Sequence, residues 1–459
     1  MEISRHFLDV GSRRVHYRRC GRGPALLMVH QSPRSSGEYE PLMREWGAVF
    51  TCIAPDTPGF GRSDPLPEAE PGIEHYADAV ADFAHALRLG PVPAYGFHSG
   101  GIILVTALRR RPHAFRALAV GGYAVWTAEE RALFASRYLP PLAPRPYGEH
   151  LTWLWNRMLE QSWFFPWFAA DPGHRLPHPH ADVLRVDAAV REMLDAGDHY
   201  RTGYGAVLAA PRDLPPADAP PGAPVLIAAY DGDPLQAHID RLGMLPAGWT
   251  ARRVRTPAEL HEAALAHLAP HAGEPAAEPP EAPDEGFLPV RTDGYDGLVH
   301  WRGRGGGEAV VPGPGRSLDL VDGAGVDPPG HGLSDPWPGD PPTAWAPWRA
   351  VLEEVRAARG FAGLRREPAP DGDPARLFPD LSPDRFGSHL TRAWGIVRAA
   401  HLFRPWYDAS PRAAVRFDAR ALDPARLAAE HRALLSAGPA ARAYALALRA
   451  ADGEAHVDP

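Results

Sequence analysis

The chain has 459 residues, 45% hydrophobic and 23% charged, enough apolar material to fill the cores of two or three domains. Its net charge of −8 is spread along the sequence with no basic face, which excludes phosphate-backbone tracking and so a nucleic-acid partner. All 48 basic residues are arginine, and without a lysine amine Schiff-base chemistry, pyridoxal anchoring, P-loop phosphate binding and Ser-Lys nucleophile pairs are excluded.

Two cysteines, Cys20 and Cys52, cannot build a disulfide framework and have no zinc-ligand spacing. Met1–His6 has no apolar signal region, and no apolar run approaches the roughly 18 residues that span a bilayer. These features set the expectation of a soluble cytoplasmic protein that makes no membrane contact.

In chain order, Arg5–Val10 and Arg13–Cys20 flank Gly11-Ser12 and read as a hairpin. Ala25–His30 is a continuous apolar run of the buried-strand kind, and Val49–Pro55 is a second. Ile73, Tyr76, Val80, Phe83 and Leu87 recur at helical spacing. Val92–Phe97 reads as a strand, Ile102–Arg110 as a helix and Ala117–Gly121 as a strand. This alternation predicts a mostly parallel sheet covered on both faces. Residues 124–212 are helical and aromatic, with Trp126, Trp153, Trp155, Trp163 and Trp167, and read as a helical cap inserted in the sheet. Alternation resumes at Pro224–Tyr230 and Ala251–Arg255, followed by a helix over Ala258–Leu268. Residues 273–286, rich in Pro, Glu and Ala, have a linker composition.

Beyond the linker the chain echoes itself. Asp327–Pro336 matches Asp56–Pro65 at an offset of 271, and Pro314–Ser317 matches Ser32–Ser35 more faintly at 282. In the cap, Leu142, Tyr147, His150, Leu151, Thr152 and Trp155 meet Leu381, Phe386, His389, Leu390, Thr391 and Trp394 at a constant 239. Pro166-Trp167-Phe168 meets Pro405-Trp406-Tyr407 at the same offset. The expected organisation is a first domain over 1–272 and a truncated copy over 287–459. The copy is expected to lack the strand and turn around residues 92–101 and the C-terminal strands.

Three ordered markers carry a resemblance: Val29-His30-Gln31 after the third strand, Asp56–Pro65 after the fourth, and Gly96-Phe97-His98-Ser99-Gly100-Gly101 after the fifth. The chain resembles the α/β-hydrolase superfamily, in the capped branch that includes epoxide hydrolases and haloalkane dehalogenases. The resemblance covers 1–272 and, in degraded form, 287–459. It implies a cofactor-free enzyme with a nucleophile elbow on the turn after the fifth strand.

An elbow needs small residues two before and two after its nucleophile, where the turn presses on neighbouring backbone. Centring on His98 puts Gly96 and Gly100 at those places, whereas centring on Ser99 puts Phe97 at one of them. Histidine therefore stands where the family pattern has Ser, Asp or Cys. The resemblance further implies an acid after Pro224–Tyr230, for which Asp233 is preferred to Asp231. It implies a histidine after the last strand, for which His261 is preferred to His267 and His271. Backbone N–H groups of Ser32 and Ser99 would form the oxyanion hole. Gln31, Trp126, Trp155 and Trp167 are the expected pocket residues.

The remaining features read as structural. Asp56 and Asp64 flank a glycine-rich turn and are expected to fix its backbone. Arg34, matched by Arg316, reads as structural, with substrate-anion binding as the alternative. His150, matched by His389, reads as cap packing. Pro177 and Pro179 interrupt His174, His178 and His180, so those three read as a solvated loop and no metal is expected.

The expected function is hydrolysis of an ester or acyl-type bond in a small organic substrate, with His98 as nucleophile or general base and Asp233 and His261 as its partners. The alternatives are a non-hydrolytic lyase or decarboxylase on the same fold, and a non-catalytic pseudo-hydrolase that binds a ligand. The two repeats are expected to pack on one another within the chain, with homodimerisation left open.

Overall fold

The computed structural model describes residues 1–220, 222–280 and 284–454. The chain divides into two compact units, Met1–Leu142 with Arg157–Glu281, and Ala143–Asn156 with Ala282–Pro459. The boundary falls in the expected linker, whose residues 281–283 lie outside the described residues. The start of that stretch is held against the first unit's sheet: the Ala25 N–H donates to the Glu274 carbonyl at 3.2 Å, and Pro24 bridges Pro275.

In the first unit β1 (Ile3–Val10) and β2 (Arg13–Cys20) form the hairpin, turning on Gly11 at φ 62°. There follow β3 (Ala25–Val29), α1 (Glu40–Trp46), β4 (Thr51–Pro55), α2 (Ile73–Ala86), β5 (Val92–Phe97), α3 (Ser99–Arg110) and β6 (Phe115–Gly121). Between β6 and β7, in the region expected to form a cap, lie α4 (Ala128–Arg137), α5 (Glu149–Gln161), whose residues up to Asn156 belong to the second unit, α6 (Val183–Ala196) and α7 (His199–Ala209). β7 (Val225–Tyr230), β8 (Trp249–Val254) and α8 (Pro257–Leu268) complete the unit. The sheet order is β1-β2-β4-β3-β5-β6-β7-β8, with every pairing from β4 to β8 parallel.

Period-2 alternation explains the layers. Leu27 and Val29 face α2 and α3, packing with Ile73, Tyr76, Phe83 and Ile102. Leu26 and Met28 face α1 and α8, packing with Met43, Trp46, Ala264 and Leu268. The sheet therefore has a helix layer on each face, and the carboxyl ends of β3, β5, β6 and β7 open toward the cap helices that belong to this unit.

The second unit contains β9 (Glu285–Thr292), β10 (Tyr295–Arg302), β11 (Glu308–Val311), β12 (Gly325–Val326), α9 (Trp345–Arg359), β13 (Gly363–Arg366), α10 (Pro374–Leu377), α11 (Ser388–Ala400) and α12 (Pro424–Glu454). Its sheet order is β13-β11-β12-β10-β9, the order of β5-β3-β4-β2-β1. The expectation that this region has no strand at the place of β5 is corrected. β13 pairs in parallel with β11, but it has four residues, no apolar run to announce it, and Glu367-Pro368 after it instead of a helix. Strand–helix structure equivalent to β6–β8 does not follow among the described residues. A long helix, α12, kinks at Gly438 (φ 47°) and covers the sheet with Ala440, Tyr444 and Leu448.

The glycine-rich turns of the two units are built alike. Asp56 is buried and accepts from His16 Nδ1 (2.8 Å), the Ser36 N–H (2.8 Å) and the Arg62 N–H (2.9 Å). Asp327 accepts from His300 Nδ1 (2.7 Å), the Leu318 N–H (2.8 Å) and the Leu333 N–H (3.2 Å). Asp64 and Asp335 each accept a strand N–H, from Arg14 and Leu298, at 2.8 Å. Both aspartates of each turn therefore serve the backbone fixing expected of them.

The two buried histidines differ in charge environment. Burial, reinforced by Arg18 and Arg5, lowers the His16 pKa despite Asp56. Burial also opposes charge on His300, but hydrogen bonds to both Asp327 and Glu285 overcome it and raise its pKa. A raised histidine pKa stabilises the fold fully below the ordinary value of 6.5, and that contribution is lost as pH climbs through the raised value. The stability difference between wild type and His300→Gln, measured by urea unfolding, is therefore expected to be larger at pH 6 than at pH 8.5.

Candidate active site

The site begins with one tight turn between β5 and α3. His98 sits in it at φ 47°, ψ −111°, a conformation L-residues rarely adopt, and this places its side chain at the carboxyl end of the sheet. Neighbouring backbone leaves no alternative to glycine around it. A Cβ on Gly96 would lie 2.6 Å from the Gly100 carbonyl carbon, and one on Gly100 would lie 1.9 Å from the Val29 oxygen. The His98 N–H donates to the Gly121 carbonyl at 2.7 Å, tying the turn to the end of β6.

From the turn His98 reaches Asp233. Nε2 lies 3.0 and 3.1 Å from the two carboxylate oxygens, so the ring donates Nε2–H to a bidentate acceptor. Asp233 is 5% exposed and its Oδ1 also accepts the Leu235 N–H at 2.8 Å, which fixes the carboxylate after β7. Asp231 is exposed and accepts from Gln236 Nε2 instead. The arrangement selects the Nδ1 lone-pair tautomer of His98, and Nδ1 has no hydrogen-bond partner among the described residues. The ring stacks on Phe97 with centroids 4.0 Å apart, and its side chain keeps 21% of its surface exposed.

Gly122, at φ 67°, makes room for the pair: a Cβ there would lie 2.6 Å from His98 Cδ2 and 3.0 Å from Asp233 Oδ2. Sequence reasoning passed over it, although a second glycine directly after a buried strand was a signal of close approach. His238 stands nearby with Nδ1 accepting the Val125 N–H at 2.9 Å. Burial, followed by the charge of Arg241, lowers its pKa to about 4, so it is a neutral neighbour of the pair.

His261 does not join them. It lies on α8 with its ring 6.3 Å from those of Trp46 and Tyr95, in the helix layer that faces the opposite side of the sheet from α2 and α3, and burial lowers its pKa. The expected relay through His261 is corrected: Asp233 binds the ring at position 98 directly. The expected oxyanion donors are also rearranged. The Ser32 N–H donates to Ser99 Oγ at 2.5 Å, so that amide is engaged by the chain's own hydroxyl.

A pocket within the first unit receives these groups. The core contributes Ser32, His98, Ser99, Ile102 and Leu235, and the cap contributes Tyr138, Phe165, Tyr204, Val207 and Leu208. Among the expected pocket residues, Trp126 lines it. Gln31 turns to Glu38 at 2.9 Å, and Trp167 donates to the Tyr138 carbonyl as part of the cap's own packing. Trp155 belongs to the second unit, where it donates to the Arg385 carbonyl at 3.1 Å. Tyr138, Phe165 and Tyr204 gave no sequence signal beyond a general aromatic richness. Arg34 pairs with Glu192, in keeping with its structural reading. His150 accepts the Arg145 N–H and lies edge-on to Trp394 within the second unit. His174 bonds Asp171, and no group of three or more metal-ligating side chains converges among the described residues. Nor is any described helix long and apolar enough to cross a membrane.

Haloalkane dehalogenase 2 of Mycobacterium bovis is 30% identical over 142 residues, covering 31% of this chain and 50% of that protein. The 2-(acetamidomethylene)succinate hydrolase of Mesorhizobium japonicum is 34% identical over 119 residues, covering 25% of this chain and 42% of that protein. The chain thus spans about half the length of the curated relatives it matches, or less. A crystal structure of a hydrolase from Pseudomonas aeruginosa PA01 is 17% identical and covers 57% of this chain and 98% of its own, with a TM-score of 0.46. A family model for the alpha/beta hydrolase fold matches residues 24–265, just over half of the 459. The chain belongs to the α/β-hydrolase fold family.

Proposed function

We propose that the chain is a hydrolase of a small ester or acyl-type substrate in which His98 is the general base and Asp233 orients it. The observation that carries this reading is the bidentate Nε2 bond to a buried carboxylate from the tight turn between β5 and α3. Nδ1 takes a proton from water as the water oxygen attacks the carbonyl carbon. The tetrahedral intermediate then collapses with cleavage of the bond to the leaving group, and the imidazolium returns that proton to the departing oxygen or nitrogen. Asp233 stabilises the transient imidazolium and orients the ring by accepting from Nε2. The Ser99 hydroxyl, 4% exposed and already accepting from Ser32, has its own proton to give to the developing oxyanion. Covalent attack by His98 is the weaker form of the reading, because among the described residues no second base is hydrogen-bonded to His98 to deacylate an acyl-imidazole. Of the relatives named above one is a dehalogenase and the other a hydrolase by name, and the latter supports hydrolysis as the reaction class.

We infer in addition that the second unit is a truncated copy of the first. Reciprocal contacts support this. Trp155 Nε1 donates to the Arg385 carbonyl and Trp394 Nε1 to the Pro146 carbonyl, at 3.1 and 3.2 Å, each pair related by the 239-residue offset. His389 meets Trp155 edge-on as His150 meets Trp394. Trp167 donates to Tyr138 and Trp406 to Leu377, again at that offset. Both halves of the reciprocal Trp155 and Trp394 set lie within the second unit, the Ala143–Asn156 segment supplying one of them.

Three outcomes are expected. His98→Gln or Asp233→Asn lowers kcat/KM toward activated short-chain esters by about 100-fold or more, while Ser99→Ala costs about tenfold; equal activity of His98→Gln and wild type would end the reading. Gly122→Ala, assayed on the same esters, loses activity comparably, because its Cβ displaces His98 from Asp233 while the protein remains folded by circular dichroism. Trp155→Ala and Trp394→Ala each destabilise the chain by about 3 kcal/mol or more in urea unfolding, with the protein sedimenting as a monomer in wild type.

A further inference from the structure

Arg157, on α5 in the first unit, is 1% exposed. Its Nη1 donates to Gln161 Oε1 at 3.0 Å and otherwise meets the thioether sulfurs of Met158 and Met193 at 2.9 and 3.6 Å. Nε and Nη2 have no hydrogen-bond partner, and no carboxylate pairs with the guanidinium among the described residues. Arginine cannot shed its proton to escape burial, so a guanidinium in this position is unusually costly unless an anion answers it.

The charge stands behind the pocket wall. Arg157 lies over the Trp167 ring at 5.4 Å and the Tyr200 ring at 5.7 Å. Its field reaches the phenols of Tyr138 and Tyr204; burial dominates and raises both their pKa values, with Arg157 acting against it. Those two hydroxyls bond to each other at 3.3 Å, and both side chains line the pocket that His98 enters. The other residues that the cap contributes to the pocket, Phe165, Val207 and Leu208, are aromatic or aliphatic.

The second unit provides an internal comparison. At the 239-residue offset Tyr138 corresponds to Leu377 and Arg157 to Ile396, both buried. Gly197 (φ 53°, ψ −142°) and Gly438 (φ 47°, ψ −130°) align α7 with the second half of α12, which sets Tyr200 against Ala441 and Tyr204 against Ala445. The cap packing shared by the two units thus accommodates an apolar set at all four places. The arginine and the three phenols occur together only in the unit that carries His98.

We propose that the cap of the first unit is a carboxylate-binding site: Tyr138 and Tyr204 donate their hydroxyls to the anionic head of a small acid, with Arg157 supplying the compensating positive charge. The ligand class is a short-chain carboxylate with an apolar body. Reaction of the acid's other end at His98 rests on the hydrolase reading above; binding of its carboxylate does not.

The test is calorimetric titration of the full chain with butyrate and with neutral butyramide, on wild type, Arg157→Met, the Tyr138→Phe/Tyr204→Phe double variant and His98→Gln. Wild type is expected to bind butyrate at least about tenfold more tightly than butyramide. Arg157→Met and the double variant are expected to lose that preference with unchanged circular dichroism, and His98→Gln to keep it. Equal affinity of wild type for acid and amide, no binding of butyrate, or a preference that survives in folded Arg157→Met would overturn the inference. Should Arg157→Met fail to fold, the phenol variant decides. Loss of esterase activity in His98→Gln with the preference intact separates this site from the catalytic reading, since each can then fail alone.

Discussion

A carboxylate taken almost wholly out of water must be met by donors, and Asp233 is met by two: the Leu235 amide and the imidazole of His98. That requirement organises the first unit's site. To deliver a ring nitrogen to the end of β7, the chain holds His98 in a strained turn and keeps Gly96 and Gly100 without side chains against the backbone of β3 and α3. It also leaves Gly122 without a Cβ where the imidazole and the carboxylate meet. The strain of the turn is tolerable because the sheet's hydrogen bonds, including His98 N–H to Gly121, determine the backbone on both sides.

In the proposed reading, a histidine at this position merges two roles that a nucleophile and a separate base would divide. His98 meets Asp233 directly, and α8 uses His261 in packing against Trp46 and Tyr95. Ser99 Oγ takes the Ser32 amide, which under the same reading leaves its hydroxyl as the donor beside the base. The pocket combines apolar residues of α3 and α7 with the paired phenols of Tyr138 and Tyr204.

Much of this was legible in the sequence. The alternation of apolar runs with helical spacing gave the parallel sheet, because burial on both faces leaves strands such as Ala25–Val29 without polar interruption. The resemblance located the turn at position 98, and the glycines around it set its register through sterics. The same resemblance implied an acid after β7, with Asp233 preferred to Asp231. What could not be read was tertiary. The phase of α8 decides whether His261 points at the site, and that phase depends on Trp46, more than two hundred residues earlier. Trp155 looked like a pocket residue because helical spacing does not say which unit a helix end will join. β13 escaped notice because four half-exposed residues, Gly-Leu-Arg-Arg, form a strand only by virtue of the β11 ladder. Arg157 was one arginine among 48 until its burial without a carboxylate set it apart.

The central claim is that the imidazole at position 98 is the working base. Chemical rescue tests it most directly: His98→Gly is assayed on an activated short-chain ester with and without added imidazole, beside His98→Gly/Asp233→Asn. The account predicts an inactive single variant that regains activity with saturable dependence on imidazole, and weaker rescue once Asp233 can no longer orient the added ring. A single variant that hydrolyses the ester as fast as wild type without imidazole would contradict it.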